Sequence, residues 1–228
     1  MVDSGGTSGW RGGLRVGIGL GASTFALAIS FGALAHAQGW DPLLTTVFSL
    51  VAFSGSAQFA VLTTFAGGGG LAAIGSATLM NARFLPMGSA AAASLEGGRL
   101  RRALEGQAVV DASWVAAYEG EGRFDRAKLM AATAVQWPAW VIGTAIGAYV
   151  GMSTDFLDRW GLDVIFPAFF LMLLFDSVRD NAGARLVATA AALVGAGMVY
   201  VAPPGVALLA SSAAAMVILL GPSKAATS

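Results

Sequence analysis

The chain has 228 residues, of which 56% are hydrophobic and only 11% are charged, and its 13 basic and 13 acidic side chains leave no net charge. Its mean hydropathy is +0.71, and soluble domains carry roughly 25% charged residues, so the composition predicts an integral membrane protein and excludes an ordinary soluble core. The balanced charge argues against nucleic-acid binding, and because the chain has no cysteine and one histidine, His36, we expect no metal site and no cofactor.

Apolar segments follow one another along the chain, separated by short polar stretches. A loose polar tail over 1–13 precedes a first helix predicted over 16–37, which we interpret as a retained helix and not as a signal peptide. The later apolar segments are 43–65, 71–95, 106–118, 129–152, 164–175, 186–202 and 205–221, with a C-terminal tail over 222–228. Because about 20 apolar residues cross a bilayer, the predicted fold class is all-α. It is a polytopic bundle of about 6–8 transmembrane segments with kinked or broken helices and no sheet, in one domain over 1–228.

Two topologies are open, and the distribution of basic residues bears on the choice between them. Arg11 and Arg15 place the N-terminus in the cytoplasm by the positive-inside rule. If every segment crosses, there are about eight crossings, and the basic stretch 99–102 lies outside, against that rule. If 43–65 and 106–118 are re-entrant, about six crossings remain and every basic cluster lies inside. Both topologies place both termini in the cytoplasm.

Arg83 lies near the centre of the apolar segment 71–95. A charge at that depth costs about 2.5–3.5 kcal/mol and usually marks a binding site or a pathway, although a structural ion pair or a snorkelling side chain would also explain it. Pro86 has no N–H, and its ring clashes with the carbonyl of Ala82. We therefore predict a kink or break between Asn81 and Pro86, and broken helices near the midplane form the substrate sites of many transporters.

A second polar interruption lies within 43–65, in the sequence FSGSAQF that starts at Phe53. Its candidate substrate-binding residues are Ser54, Ser56 and Gln58, and close helix packing at Gly55 explains the motif equally well. Further positions are predicted to act as hinges or helix breaks. They are Gly55, the run Gly67, Gly68, Gly69 and Gly70, then Pro86, and Pro138 in the later span.

Asp111 is the one acidic residue of the segment 106–118. If this segment is buried, Asp111 either pairs with a cation or titrates. It is thus the candidate for proton coupling, with Arg83 as its natural partner. An ordinary charge on an interfacial helix is the alternative.

Taken in order, these motifs resemble the AzlC family, the large subunit of bacterial branched-chain amino acid exporters. The resemblance spans about 10–220 and rests on five stretches: Phe53–Phe59, Asn81-Ala82-Arg83 with Gly88, Asp111-Ala112-Ser113, Gly143-Thr144 with Gly147, and Pro203-Pro204-Gly205. The chain departs from the family pattern at two positions. Phe84 stands where the family often has His, and Ala112 stands where it often has Glu.

The resemblance implies a secondary active transporter, not an enzyme, that exports leucine, isoleucine or valine across the bacterial inner membrane. It also implies a small membrane partner of the AzlD type. In this interpretation Arg83 holds the substrate carboxylate, and hydrogen bonds come from Asn81, Ser54, Ser56 and Gln58. A passive channel for small solutes is the alternative function.

Overall fold

The structure is a computed structural model. It describes residues 9–152 and 182–202 continuously, and between and beyond these ranges the positions 156, 159, 161, 164, 168, 171, 174–175, 178–179, 206–207, 210–211 and 213–215. The predicted C-terminal tail, most of 164–175 and the motif Pro203-Pro204-Gly205 lie outside the described residues.

Helices dominate the described part of the chain, as the composition predicts. In chain order they are α1 (Gly9–Ala37), α2 (Pro42–Val51), α3 (Gly55–Asn81), α4 (Phe84–Ala91) with a 3-10 turn (Ala92–Ser94), α5 (Arg99–Gly106), α6 (Asp111–Ala117), α7 (Arg126–Val150) and α8 (Ala182–Val199). Within that part, α1, α7 and α8 are long and apolar enough to cross a membrane.

A small hairpin corrects the prediction of no sheet. Strands β1 (Tyr118–Gly120) and β2 (Arg123–Phe124) pair antiparallel. Gly120 and Gly122 at its turn adopt positive φ angles of 92° and 73°, which glycine tolerates without steric cost. A polar, glycine-containing stretch such as this one indicates a loop, but its glycines also allow the tight turn of a short β-hairpin.

The chain divides into two compact units. The first contains 1–58 and 81–163, and the second contains 59–80 and 164–228. Helix α3 begins in the first unit and continues into the second. It is interrupted at Gly69, where φ is 74° and ψ is −176°, a conformation that is essentially restricted to glycine. This interruption falls within the run 67–70, where the sequence predicts a hinge or break.

The first unit is built around α1 and α7, which pack side by side and run parallel. Gly13 of α1 faces Lys128 and Ala131 of α7, while further along Gly147 of α7 faces Ile29 and Ala33 of α1. Glycines recur every four residues on both contacting faces: Gly13, Gly17 and Gly21 on α1, and Gly143 and Gly147 on α7, with Gly151 directly after its last residue. Such spacing lets the backbones of membrane helices approach closely.

This packing explains two further corrections. Helix α1 begins at Gly9, earlier than the predicted 16, because Gly13 packs against α7 and the Gly9 amide donates to the Asp125 carboxylate. Helix α7 runs through Pro138 without a break, although a proline in a helix removes one backbone hydrogen bond. The extensive contact with α1 on both sides of Pro138 holds the helix together.

The segment 96–125 begins and ends near the start of α7, at an end of the first unit that we call the basic end. Glu105 at the end of α5 binds Arg126 at the start of α7. Further along α7, Thr133 and Gln136 donate to the hydroxyl of Ser113, at 2.7 and 2.8 Å. The chain then returns, and the amide of Asp125 donates to Ala117. Gln136 lies about 15 Å from Arg126 along the helix axis, so the segment 106–118 reaches roughly the middle of α7 and turns back.

Candidate functional site

Three interruptions of helical structure meet in the first unit. Residues 52–54 separate α2 from α3, Ala82 and Arg83 separate α3 from α4, and 107–110 separate α5 from α6. The interruption at Ala82 and Arg83 falls between Asn81 and Pro86, where the sequence predicts a kink or break. Pro86 itself lies in the first turn of α4, where its missing N–H has no intrahelical partner to lose, so the break falls just before it.

The sequence predicts Gly55 as a hinge or helix break, but Gly55 lies just after the break. The break of the segment 43–65 lies at 52–54, and Gly55 is the first residue of α3. A Cβ added at Gly55 would lie 2.6 Å from the Trp140 ring. The requirement for glycine here is close packing, which was the alternative explanation of this motif.

Arg83 and Asp111 form a bidentate ion pair. The Arg83 Nε donates to Asp111 Oδ1 at 2.9 Å, and Nη2 donates to Oδ2 at 2.7 Å. The same Nη2 donates to the Ser56 hydroxyl at 2.7 Å, and the guanidinium lies 4.9 Å from the centre of the Phe84 ring. The side chains of Arg83 and Asp111 are 34% and 47% exposed, so the pair is only partly buried by the protein.

Ser54 and Asn81 join the first two breaks. The Ser54 hydroxyl donates to Asn81 Oδ1 at 2.6 Å. Both residues line a cavity of about 260 Å³. Its wall consists of Ala52, Phe53, Ser54, Asn81, Phe84, Gly88, Gly106, Gln107, Val109 and Val110.

The ion pair and the cavity are neighbours in sequence and in space. Arg83 and Asp111 do not line the cavity, but Phe84 follows Arg83 and Val110 precedes Asp111 in its wall. The N-terminal ends of α3 and α4 also lie here, since Ser54 precedes α3 and Arg83 precedes α4. Helix N-termini carry partial positive charge and free amide donors. The C-terminal ends of α2, α3 and α5 border the same region and carry the opposite partial charge. The helix ends therefore place both donors and acceptors beside an apolar surface, and alone they favour neither an anion nor a cation.

Gln58 lies apart from this cavity. Its side chain is fully buried, its Oε1 accepts from the Trp140 indole at 2.7 Å, and its Nε2 donates to Ser49 at 3.2 Å. Ser49 in turn lies 2.9 Å from the Thr144 hydroxyl. This network links α2, α3 and α7, so the placement of Gln58 supports a structural role instead of the predicted contact with substrate.

Several wall residues were missed by the sequence reasoning. Phe84, Gln107, Val109 and Val110 were not singled out as binding residues, because apolar side chains in apolar segments carry no distinctive signal. Their position next to Arg83 and Asp111 was the one available indication. Phe84 was noted only because it replaces a histidine often found in the resembled family.

A second charged cluster lies at the basic end. The Arg126 guanidinium beside Glu105 holds the pKa of that carboxyl at about 2, below its ordinary value of 4.5, and Arg101 also donates to Glu105 at 3.0 Å. Glu96 adds a second acid, 3.5 Å from Arg126. The residues that the structure describes contain no group of three or more His, Cys, Asp and Glu that could hold a metal ion.

Part of the chain matches a known family. The family described as AzlC protein matches residues 19–153, a range that contains every residue of the ion pair and of the cavity wall. No curated protein and no solved structure matches the chain.

Proposed function

The chain belongs to the AzlC family, a family of membrane transport proteins, and from this premise we propose that it exports branched-chain or similar apolar amino acids across the bacterial inner membrane. The observation that carries the proposal is the cavity at the three helix breaks. It combines an apolar wall with polar groups, and it lies beside a fixed guanidinium.

The wall of the cavity matches the two parts of such a substrate. Phe53, Phe84, Val109 and Val110 form an apolar surface for an aliphatic side chain, whereas Ser54 and Asn81 supply polar atoms for the amino acid backbone. Ligand pockets for drug-sized molecules measure about 300–1,000 Å³. A cavity of about 260 Å³ therefore suits a smaller solute.

Arg83 is the proposed partner of the substrate carboxylate. An amino acid that crosses the membrane must have its charge matched, because an unpaired carboxylate is very costly to bury. A guanidinium is charged at all relevant pH values and matches a carboxylate through two parallel hydrogen bonds. The bidentate bond that Arg83 makes to Asp111 has the geometry that we propose for the substrate.

Asp111 would then compete with the substrate for the same guanidinium. When the substrate carboxylate binds Arg83, the Asp111 carboxylate loses its main counter-charge, so substrate binding and proton binding at Asp111 become linked. Neither a histidine at 84 nor a glutamate at 112 is present to share this role. We therefore assign proton coupling to Asp111.

The packing of the first unit favours the topology with re-entrant segments. Since α1 and α7 are parallel, the chain between them must cross an odd number of times. The segment 106–118 returns to the basic end, so 43–65 and 71–95 together supply one net crossing, and one of them is re-entrant. All basic clusters of the first unit then lie at one end, which the positive-inside rule places in the cytoplasm.

We propose a small AzlD-type subunit as the partner, and this proposal rests on membership of the family alone.

The transport experiment uses purified chain, with and without such a subunit, reconstituted into vesicles loaded with labelled leucine. We expect efflux that a proton gradient can drive against a leucine gradient. A channel would only dissipate the leucine gradient, and such a result would favour the alternative function. No leucine movement under either condition would reject the proposed substrate class.

A further inference from the structure

Helix α4 presents three different faces. Met87 and Ala91 point into the apolar cluster formed with Leu95 and Leu129, and the carbonyl of Met87 accepts from the Trp114 indole at 3.1 Å. A second face is exposed, and it carries Leu85, Pro86, Ser89 and Ala90. The third face carries Phe84 and Gly88, which are one turn apart and both line the cavity.

Gly88 leaves open space in the cavity wall, one helical turn after Phe84. A Cβ added at Gly88 would meet no heavy atom within 4 Å. Gly88 lies inside a helix, its φ is not positive, and α4 packs against the apolar cluster through Met87 and Ala91, on another face. The absence of a side chain at Gly88 is therefore required neither by backbone conformation nor by packing against the residues that the structure describes.

We propose that Gly88 is a specificity-determining residue, which sets the upper size of the substrate side chain that the cavity accepts. The inference rests on the proposed function, since it concerns the same site. Phe84, one turn earlier on the same face, supplies apolar surface, and Gly88 supplies the space next to it. Any side chain at position 88 would project into the volume that an aliphatic substrate occupies.

The physical expectation is a graded loss of large substrates. One methylene more or less in an apolar pocket changes selectivity by about 10- to 200-fold. Gly88→Ala would narrow the cavity by one carbon and Gly88→Val by three. Because neither added side chain meets protein atoms at its Cβ, and alanine is a better helix former than glycine, both variants should fold.

The test compares uptake of labelled alanine, valine, leucine and phenylalanine by vesicles that contain equal amounts of folded protein. Gly88→Val should lower the leucine-to-alanine rate ratio by about tenfold or more, and Gly88→Ala by less. The matched control is Gly19→Val, because Gly19 is exposed on α1 and a Cβ there also meets nothing within 4 Å. Its ratio should equal that of the wild type. An unchanged ratio in Gly88→Val would overturn the inference while the proposed function stands.

A second measurement separates the inference from the proposed function. The natural chain has no cysteine, so Gly88→Cys is the only thiol in that variant. Leucine should slow its reaction with methyl methanethiosulfonate, and should not slow the reaction of Gly19→Cys. If the wild type transports no amino acid, the proposed function fails and this protection assay decides the inference alone. Lack of protection at Gly88→Cys by every amino acid tested would overturn it.

Discussion

Gly147→Ala should strongly destabilise the protein, because Gly147 lies where the backbones of α7 and α1 approach each other. A Cβ at this position would lie 2.2 Å from the carbonyl oxygen of Ile29 and 2.7 Å from the amide nitrogen of Ala33. Ordinary carbon–oxygen contacts are about 3.3–3.6 Å long. The two helices would therefore have to separate locally by about 1 Å.

The size of the effect follows from that separation. A radial gap of about 1 Å forfeits a quarter to a half of the dispersion energy of each affected contact. Overpacked sites typically cost about 1–3 kcal/mol. We expect a value near the upper end, about 3 kcal/mol, because both obstructing atoms belong to backbone and cannot rotate away. For a chain of this length that corresponds to a decrease in melting temperature of roughly 6–12 °C.

Thermal unfolding in detergent would measure the effect, with Gly19→Ala as the matched control. Gly19 also lies within α1, but its added Cβ would meet no heavy atom within 4 Å. Its substitution should be neutral, or stabilising by up to about 1 kcal/mol through helix propensity. Equal melting temperatures for Gly147→Ala and Gly19→Ala would refute the parallel glycine-mediated packing of α1 and α7.

Three further predictions concern the site, the ion pairs and the topology. Asp111→Asn keeps the shape of the side chain but removes its charge. Leucine exchange should therefore persist, while the response of efflux to a proton gradient disappears. A retained response would reject proton coupling at Asp111. The pKa of Glu105 is about 2 in the folded chain against an ordinary 4.5, so its contribution to stability is complete above about 4.5 and is lost as the pH falls towards 2. Melting temperatures across that range should therefore fall more steeply for the wild type than for Glu105→Gln, and parallel curves would contradict the ion pair with Arg126. Arg102→Cys should react with a membrane-impermeant thiol reagent only from the cytoplasmic side, and labelling from outside would favour the topology in which every segment crosses.

The parts of the site that could be predicted from the sequence are those with strong local signals. Pro86 predicts the break before it because its ring is incompatible with an uninterrupted helix. Arg83 and Asp111 could be paired because charges are rare in these apolar segments and need partners there. The run 67–70 could be recognised as a break because glycine adopts backbone conformations closed to other residues.

The remaining errors have a common physical cause, which is that tertiary contacts override local propensity. Pro138 is tolerated because α1 packs along α7. Gln58 could not be separated from Ser54 and Ser56 by composition, since only the fold turns it towards Trp140 and Ser49. The pattern of glycines on α1 and α7 was visible in the sequence, but their pairing depends on which helices become neighbours.

The central claim is that Arg83 binds the substrate carboxylate, and leucine efflux by Arg83 variants tests it most directly. Vesicles would be loaded with labelled leucine and compared at equal amounts of folded protein for the wild type, Arg83→Lys and Arg83→Ala. Lysine keeps the charge but loses the planar fork, so Arg83→Lys should transport more slowly. Arg83→Ala should lose efflux by about 10- to 100-fold or more, since hydrogen bonds to charged groups contribute about 1.5–3 kcal/mol. Efflux at the wild-type rate by folded Arg83→Ala would contradict the claim and leave Arg83 as a structural partner of Asp111.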